Sequence, residues 1–380
     1  MDYDKVACNS FVRINLDAIA SNLQTIQNHI GKDMGIIPIL KGNAYGFGIT
    51  ELAAFLTQKM HMPMLAVAQV WEALQIIDFG VKADFYIIGG VPFRNIPMVV
   101  EHDMITPAYD VTYLQRLNAA ATAKNMLARV KIKVETGLNR VGVTPGEQLE
   151  QLMDAIDQLP HIQVIGAFTH FASAEVIDSS FTLEQAARFK EALPQIKARN
   201  YQLDYVHSFN SGAITWLKDY EHMTHVRTAN LVFGYDMIDQ PHHSLELIES
   251  ASWHAYVTHV KDVPPGESVG YSRIYPVTSP IRVATVSAGY GDGFPRHYAV
   301  TGKAEMLIRG RRAQVIAIAM DQTMLDVTGL EVEIDDLVTI YGSDGDEKIC
   351  MREIQERSGL SYQSATVSIS QRVPRFFTGG

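Results

Sequence analysis

Residues 39–48 read Ile39-Leu40-Lys41-Gly42-Asn43-Ala44-Tyr45-Gly46-Phe47-Gly48, an apolar strand that ends on one lysine and then turns through glycines. A buried lysine loses hydration, which disfavours its ammonium form and lowers its pKa. The neutral amine that results can condense with an aldehyde to form a Schiff base. Small residues behind the lysine let a bulky ligand approach the backbone. Lys41 is therefore a candidate nucleophile, and the alternative is a strand-end lysine that extends its ammonium group to water.

The composition indicates a globular protein with a small-molecule substrate. A chain of 380 residues suits one domain of about 250 residues plus a smaller one. Hydrophobic residues make up 47% and charged residues 19%, which is enough apolar material for a buried core. The net charge of -10, from 42 acidic and 32 basic residues, argues against binding to nucleic acid or to an anionic membrane.

The cysteines and the N-terminus predict a cytoplasmic protein. Cys8 and Cys350 are too few for a disulfide framework, and no Cys/His spacing resembles a zinc site, so no metal is expected. The chain begins Met1-Asp2-Tyr3 without a basic and then apolar leader, and it has no run of about 18 apolar residues that could cross a membrane.

Alternating segments predict repeated βα units between residue 36 and about residue 227. Eight short apolar runs read as strands: Ile36–Leu40, Met64–Val67, Phe85–Ile88, Met104–Ala108, Ala128–Val134, Val164–Thr169, Tyr205–Ser208 and His225–Arg227. Helical periodicity lies between them at Gln69–Phe79, Val111–Lys124, Pro145–Gln158 and Thr182–Arg199. Eight strands with crossovers favour a (β/α)8 TIM-like barrel, here residues 11–245, and an open doubly wound sheet is the alternative.

The pattern changes after about residue 245. Short alternating runs with turn residues between them predict a mostly antiparallel β-domain over residues 246–380, with one helix near Met351–Ser358. Phe11–Asn15 reads as a strand before a helix capped at Asp17, and residues 1–15 are a candidate addition to the β-domain.

Polar residues collect where the barrel strands end. Lys41 ends the first strand, and the later strand ends carry Arg140, His170, His207 and Arg227. The carboxyl ends of barrel strands form the active-site face, so this placement indicates chemistry rather than packing.

Residues 41–46 resemble the pyridoxal-phosphate attachment motif of alanine racemases, which are fold-type III enzymes with a barrel and a β-domain. Further similarities follow in the family's order: Thr136–Gly142, Thr169–Ala172, Asn210-Ser211, Gly270–Ser272, Gly289–Gly293, Met320–Gln322 and Arg372–Arg375. The resemblance extends from about Arg13 to Arg375.

The resemblance implies a two-base racemisation of L-alanine to D-alanine that supplies the cell wall. Lys41 would carry pyridoxal 5'-phosphate as a Schiff base and serve as one base, while Tyr271 resembles the second. Inversion needs two bases on opposite faces of the α-carbon, one to remove the proton and one to return it.

The same resemblance assigns cofactor contacts in the barrel. Arg227 would face the pyridine nitrogen, and because guanidinium does not give up its proton, that nitrogen should act only as an acceptor. His170 resembles the histidine that contacts the ring. Tyr45 and Ser211 resemble phosphate ligands, with backbone amides of Ala229 and Asn230 completing the phosphate site.

Other resemblances concern the substrate and the partner. Arg140 resembles a residue near the substrate carboxylate, and so do Met320 and Asp321. Tyr271, Met320 and Asp321 lie in the β-domain, which in this family completes the site of a second subunit, so a homodimer is implied. Lys133 aligns with a lysine that is carbamylated in some members; an unmodified lysine paired with an acid is the alternative.

The chain departs from the family pattern at the pocket. Phe47 replaces a histidine, Ala319 a cysteine and Gln371 a tyrosine, and Thr228–Asn230 replaces a glycine-rich turn. Ala319 and Gln371 reduce bulk and add an amide that can bind a side-chain hydroxyl, so we expect serine to be accepted beside alanine.

Other functions are alternatives to this assignment. One is a racemase that prefers serine or another amino acid, and another is a fold-type III amino-acid decarboxylase. Such decarboxylases place an acid opposite the pyridine nitrogen and a cysteine in the β-domain, where this chain has Arg227 and Ala319. A non-catalytic pyridoxal-phosphate carrier is a single barrel and would not need a β-domain with Tyr271. A degenerate regulatory protein on the same frame is disfavoured by the retention of Lys41, Tyr271 and Arg227.

Overall fold

The computed structural model describes residues 7–218, 220–236, 238 and 245–380. The chain folds into two compact units. The barrel unit comprises residues 18–44 and 49–248, and the β unit comprises residues 45–48 and 249–380 together with the N-terminal segment up to Asp17. The fold class expected from the sequence, a barrel followed by a mostly antiparallel β-domain, is confirmed.

Strand β1 (Ser10–Asn15) leads into a helix at Leu16–Ile30. The prediction that Asp17 caps this helix is wrong. The helix begins one residue earlier, and Asn15 Oδ1 accepts a hydrogen bond of 3.0 Å from the Asp17 amide. Asn15 is therefore the residue that caps the helix. Asp17 lies in the first turn, where its negative charge interacts favourably with the helix dipole.

Eight parallel strands form the barrel in the described residues. They are β2 (Gly35–Pro38), β3 (Met64–Val67), β4 (Asp84–Ile87), β5 (Thr106–Ala108), β6 (Ala128–Lys133), β7 (Ile162–Phe168), β8 (Tyr205–His207) and β9 (His225–Thr228). Each overlaps a predicted strand. All four residues of β3 are buried, as expected when helices cover the outer face of a parallel sheet.

Hydrogen bonds close the barrel into a ring. Strand β2 pairs with β9, β3 pairs with β4, and β5 to β8 form a continuous four-stranded sheet. Single bridges join β2 to β3 and β4 to β5, while the Arg227 amide donates to the Phe209 carbonyl at 3.0 Å between β8 and β9. The open-sheet alternative is therefore excluded for this unit.

The predicted barrel helices are confirmed with small shifts in their ends. They lie at Val70–Asp78, Val111–Ala123, Glu147–Asp157 and Ser180–Lys197. Further helices not predicted from the sequence occupy Ile49–Gln58, Ile96–Glu101 and Ser211–Trp216.

The turn after Lys41 has left-handed backbone geometry. Gly42, Asn43 and Ala44 have φ angles of 66°, 56° and 52°. The Ala44 amide nevertheless donates to the Leu40 carbonyl at 2.7 Å, so the turn is internally bonded. Consecutive left-handed residues are strained unless they are glycine, and such strain concentrates at functional sites.

The β unit is built on one nine-stranded sheet in the described residues, ordered β18-β17-β14-β15-β16-β13-β10-β1-β19. Its strands are β1, β10 (Ala251–Val263), β13 (Ile281–Val286), β14 (Glu305–Ile308), β15 (Arg311–Ile318), β16 (Thr323–Asp326), β17 (Leu337–Asp344), β18 (Glu347–Ile349) and β19 (Arg375–Thr378). Strand β17 also pairs with β10, which curls the sheet back on itself. Strand β1 pairs antiparallel with β10 and parallel with β19.

Shorter elements complete the β unit. A two-stranded hairpin of β11 (Ser268–Val269) and β12 (Tyr275–Pro276) contains Tyr271 in its turn. Helices lie at Arg296–Ala299, Met351–Ser358 and Tyr362–Val367, and the second of these has the predicted bounds.

Candidate active site

Arg227 is the best-connected buried polar side chain at the C-terminal end of the barrel strands. Its Nη1 donates to the His207 carbonyl at 3.0 Å, and its Nη2 donates to the carbonyls of Thr169 at 2.8 Å and Ser208 at 3.2 Å. Burial lowers the pKa of Arg227 to about 10, so the guanidinium still carries its charge near neutral pH. Three backbone carbonyls thus fix one cation where β7, β8 and β9 end.

Two imidazoles complete the contacts of Arg227. Its Nη1 also donates to His207 Nδ1, and its Nη2 donates to His170 Nδ1 at 3.2 Å. Because guanidinium can only donate, each Nδ1 is the acceptor and each ring carries its proton on Nε2. Burial, and then the charge of Arg227, lowers the pKa of both histidines well below 6.5, so both are neutral.

Lys41 lies at the same end of the barrel with a perturbed amine. Burial, and then the charge of Arg140, lowers the pKa of Lys41, while the carboxylate of Glu72 acts in the opposite direction. Glu72 accepts hydrogen bonds from the amides of Gly42 at 2.6 Å and Ala68 at 2.8 Å. A lowered pKa increases the fraction of neutral amine, which is the form that attacks an aldehyde.

Lys133 and Glu135 form a second pair of ionisable groups near Arg140. Lys133 Nζ donates to the Val134 carbonyl at 2.9 Å, and burial lowers the pKa of Lys133 to about 7. Burial alone would raise the pKa of Glu135, but hydrogen bonds from the amides of Asn139 and Gly137, and the charge of Lys133, lower it overall. The charge of Glu135 in turn raises the pKa of Lys133, against the stronger effect of burial.

A pair of hydroxyl groups and a turn lie at the end of strand β9. Ser211 Oγ and Thr228 Oγ1 are 3.0 Å apart and buried. Ala229 and Asn230 begin a helical turn in which the Phe233 amide donates to the Ala229 carbonyl and the Tyr235 amide donates to the Asn230 carbonyl. Backbone amides at the start of such a turn are groups that can bind an anion.

The sequence did not predict the roles of several residues in the barrel unit. In the sequence, Glu72 is recognisable only as an acidic residue in the first turn of a helix. Thr228 is recognisable only as a residue that replaces part of a glycine-rich turn. Lys131, fully buried two residues before Lys133, lies 4.2 Å from the ring centroid of Tyr86 and 4.1 Å from that of Tyr205. Alternation along β6 could have identified Lys131 as facing the same side as Lys133.

The remaining predicted residues lie in the β unit. Tyr45 is half-buried, whereas Tyr271 and Met320 expose 75% and 57% of their surfaces, and Asp321 is also exposed. The Met320 carbonyl accepts from the Gly291 amide at 2.7 Å. A Cβ on Gly289 would lie 2.4 Å from the Ala319 carbonyl oxygen, so this glycine lets the loop carrying Met320 pack closely.

The loop containing Gln371 is held on both sides. Arg375 donates to the carbonyls of Ile369 at 2.7 Å and Ser370 at 2.6 Å, and Arg372 Nε lies 2.9 Å from Asp292 Oδ1. Asp292 is buried and also accepts from the Gly289 amide at 2.8 Å. The Gly289–Gly293 and Arg372–Arg375 motifs are thus joined through one carboxylate.

The described residues contain neither a metal cluster nor a membrane-spanning helix. No group of three or more His, Cys, Asp or Glu side chains there could hold a metal ion. None of the helices in those ranges combines the length and the apolar character that crossing a membrane requires.

Comparisons with known proteins agree with this geometry. Residues 14–236 match the family model described as alanine racemase, N-terminal domain, and residues 250–377 match alanine racemase, C-terminal domain. The chain is 31% identical over 368 residues to alanine racemase 2 of Caldanaerobacter subterraneus subsp. tengcongensis, which covers 96% of this chain and 94% of that protein. It is 32% identical over 370 residues to the alanine racemase of Clostridium perfringens strain ATCC 13124, covering 97% and 95%.

A solved structure is similar over the same length. The alanine racemase of Bacillus anthracis, described with bound L-Ala-P, superimposes with a TM-score of 0.92 at 28% identity and covers 98% of this chain and 96% of its own.

Proposed function

Since the chain belongs to the alanine racemase family, an amino-acid racemase family, we propose that it interconverts L-alanine and D-alanine with bound pyridoxal 5'-phosphate. One observation carries this proposal. Lys41, whose pKa is lowered, lies at the same end of the barrel as the buried Arg227, whose guanidinium donates to the imidazoles of His207 and His170. In this proposal the cofactor-binding barrel is the part of residues 11–245 that follows strand β1, and residues 246–380 form the β-domain together with the N-terminal segment.

The residues present fit the cofactor. Lys41 supplies an amine that can hold the aldehyde group, and Arg227 supplies a fixed positive charge to face the ring nitrogen. The Ser211 and Thr228 hydroxyl groups and the turn from Ala229 to Phe233 suit a phosphate, with Asn230 in that turn and Tyr45 as further proposed contacts. When bound, pyridoxal 5'-phosphate withdraws electrons from the substrate α-carbon and makes its hydrogen acidic.

The protein's own groups would then move the proton. We assign Lys41 Nζ to one face of the α-carbon and the partner subunit's Tyr271 hydroxyl to the other. Arg140, Met320 and Asp321 would bind the substrate carboxylate. His170 Nδ1 is occupied by Arg227, so His170 would contact the cofactor ring through its protonated Nε2 side.

A homodimer with shared sites is part of the proposal. In the β unit, Tyr271, Met320, Ile274 and Tyr290 each expose at least 40% of their surface, and a partner subunit would cover them. A cytoplasmic location and a role in supplying D-alanine as a peptidoglycan precursor complete the assignment as an isomerase.

The test is racemisation by the purified protein. Loaded with pyridoxal 5'-phosphate, it should be yellow and should convert L-alanine to a racemic mixture, followed by circular dichroism. Borohydride reduction should label peptide 39–48, and Lys41→Ala should abolish the label. A protein that stays colourless and inactive with added cofactor, or a label on another peptide, would overturn the assignment.

We also propose that serine is a substrate beside alanine. Gln371 lies in a loop whose backbone is held by Arg372 and Arg375, its exposed amide is available to bind a hydroxyl, and Ala319 leaves more room than cysteine. Gln371→Tyr should lower kcat/KM for serine relative to alanine, on the order of 10-fold for one hydrogen bond to a hydroxyl. An unchanged ratio would refute this proposal, and Gln363→Tyr in the same unit serves as control.

A further inference from the structure

The ring of Tyr271 packs little against its own chain. It exposes 75% of its surface in the turn between β11 and β12. Within its own chain, the hydroxyl is therefore placed by the backbone of the turn. Proton transfer depends steeply on distance, and a displacement of about 1 Å can cost roughly 100-fold in rate.

The backbone of this turn is unusual. Gly270 has a φ of 83°, and Ser272 and Arg273 follow with 57° and 53°. Two consecutive non-glycine residues in the left-handed region are rare, and they persist only where the surrounding structure enforces them.

Two sets of contacts enforce this conformation. Arg273 Nε donates to Ser268 Oγ at 3.0 Å, and its Nη2 donates to the Gly266 carbonyl at 3.5 Å. The guanidinium thereby ties the far side of the turn to the start of the hairpin. On the other side, a Cβ on Gly270 would lie 2.6 Å from the Ala317 Cβ, so the turn rests directly on strand β15.

A small apolar core anchors the hairpin itself. Val269 of β11 is buried in a cluster with Val283 of β13 and with Ile316 and Ala317 of β15, and Tyr275 of β12 packs against the same cluster. The hairpin base is therefore fixed, and Arg273 is the side chain that connects the base to the turn.

We propose that Arg273 is a positioning residue that holds the turn bearing Tyr271 by bridging to Ser268 and Gly266. The inference rests on the proposed racemase function, in which Tyr271 serves one face of the α-carbon. It predicts that loss of the bridge impairs proton transfer on the Tyr271 face and leaves transfer at Lys41 intact.

Exchange of the alanine α-hydrogen in deuterium oxide separates the two faces. Lys41 can remove the hydrogen of one enantiomer and return deuterium to the same face, so that enantiomer gains label without inversion. The other enantiomer must give its hydrogen to Tyr271 first. In Arg273→Ala, racemisation in both directions should fall on the order of 10-fold to 100-fold, while one enantiomer still exchanges at nearly the wild-type rate.

The controls distinguish this outcome from general damage. Arg282→Ala removes an exposed arginine of the same unit that pairs with Asp262 at 3.4 Å, and it should leave both exchange rates unchanged. Ser268→Ala should reproduce the Arg273→Ala pattern more weakly. Amide hydrogen exchange of peptide 266–276 in the cofactor-free protein should be faster in Arg273→Ala than in the wild type.

Equal losses of exchange for both enantiomers, or no loss, would overturn the role of Arg273. Unchanged amide exchange in peptide 266–276 would overturn it as well. These results differ from failure of the proposed function, in which the wild-type protein itself would exchange neither enantiomer.

Discussion

The amide of Gly42 donates a 2.6 Å hydrogen bond to the carboxylate of Glu72. This bond connects the residue after Lys41 to the start of the helix Val70–Asp78, where Glu72 also accepts from Gln69 at 3.1 Å. Glu72 thus fixes the left-handed turn and places a negative charge near the Lys41 amine.

Glu72→Gln should lower the pKa of Lys41 further, because it removes the charge that raises it. Arg140→Met should have the opposite effect, because it removes a positive charge that lowers the pKa. The pH dependence of Lys41 methylation in the cofactor-free protein, followed by mass spectrometry, measures both shifts. Shifts in the same direction would contradict the assignment, and Glu101→Gln on a distant surface serves as control.

Arg227→Met should raise the pKa of His170 and His207. Burial and then the Arg227 charge lower both values, so removing the charge relieves the second cause only. Both should therefore rise but remain below 6.5. Nitrogen-15 NMR of the imidazoles against pH measures this and also reports the tautomer; a wild-type ring protonated on Nδ1 would show that the proposed hydrogen bonds to Arg227 are absent.

Lys133 should make stability depend on pH. Its pKa is about 7 in the fold against 10.5 in the unfolded chain, so between these values the unfolded chain holds more protons and stability rises with pH. Lys133→Met removes this contribution. The Lys133→Met variant should therefore exceed wild type in free energy of unfolding by the largest amount at or below pH 7.

That advantage should decline by up to about 1.4 kcal/mol per pH unit as the pH rises toward 10. Urea unfolding of the cofactor-free protein at pH 7, 8, 9 and 10, in buffer freed of carbon dioxide, measures the difference. Lys197 is exposed, so the free energy of unfolding of Lys197→Met should differ from that of wild type by the same amount at every pH. A constant difference between Lys133→Met and wild type would mean that Lys133 does not titrate in this range.

Gly46→Ala should destabilise the β unit strongly. Gly46 has a φ of 91°, and an added Cβ would lie 2.1 Å from the Thr366 carbonyl oxygen. Strain and the clash together should cost about 3 kcal/mol. Gly329→Ala, with a φ of 80° and open space around the position, should cost only about 1 kcal/mol. Equal changes in thermal stability would show that the contact with Thr366 is not rigid.

The barrel was predictable because its signals are local. Each strand is a short buried run such as Met64–Val67, and each long helix repeats its apolar residues every three or four positions. Strand ends were less accurate. The first strand ends at Pro38 rather than Leu40, because Ile39 and Leu40 instead bond singly to Thr228 and Ala66 as the barrel closes.

The contacts of the site were only partly predictable. Lys41 and Arg227 were recognisable from their motifs and strand ends, but Glu72 and Arg273 lie in segments whose sequence gives only helix and turn signals. Their partners, Gly42 and Ser268, are determined by how the chain folds back in each unit.

The sequence by itself determined the order of the elements, the family and the residues capable of chemistry, because apolar periodicity and short motifs are properties of neighbouring residues. Only the tertiary structure decided which of those residues share an electrostatic environment. Closure of the barrel brings Arg140 and Glu72 close enough to change the pKa of Lys41, although they lie far from it along the chain. Burial and Coulomb interactions depend on distances through space, which no local pattern encodes.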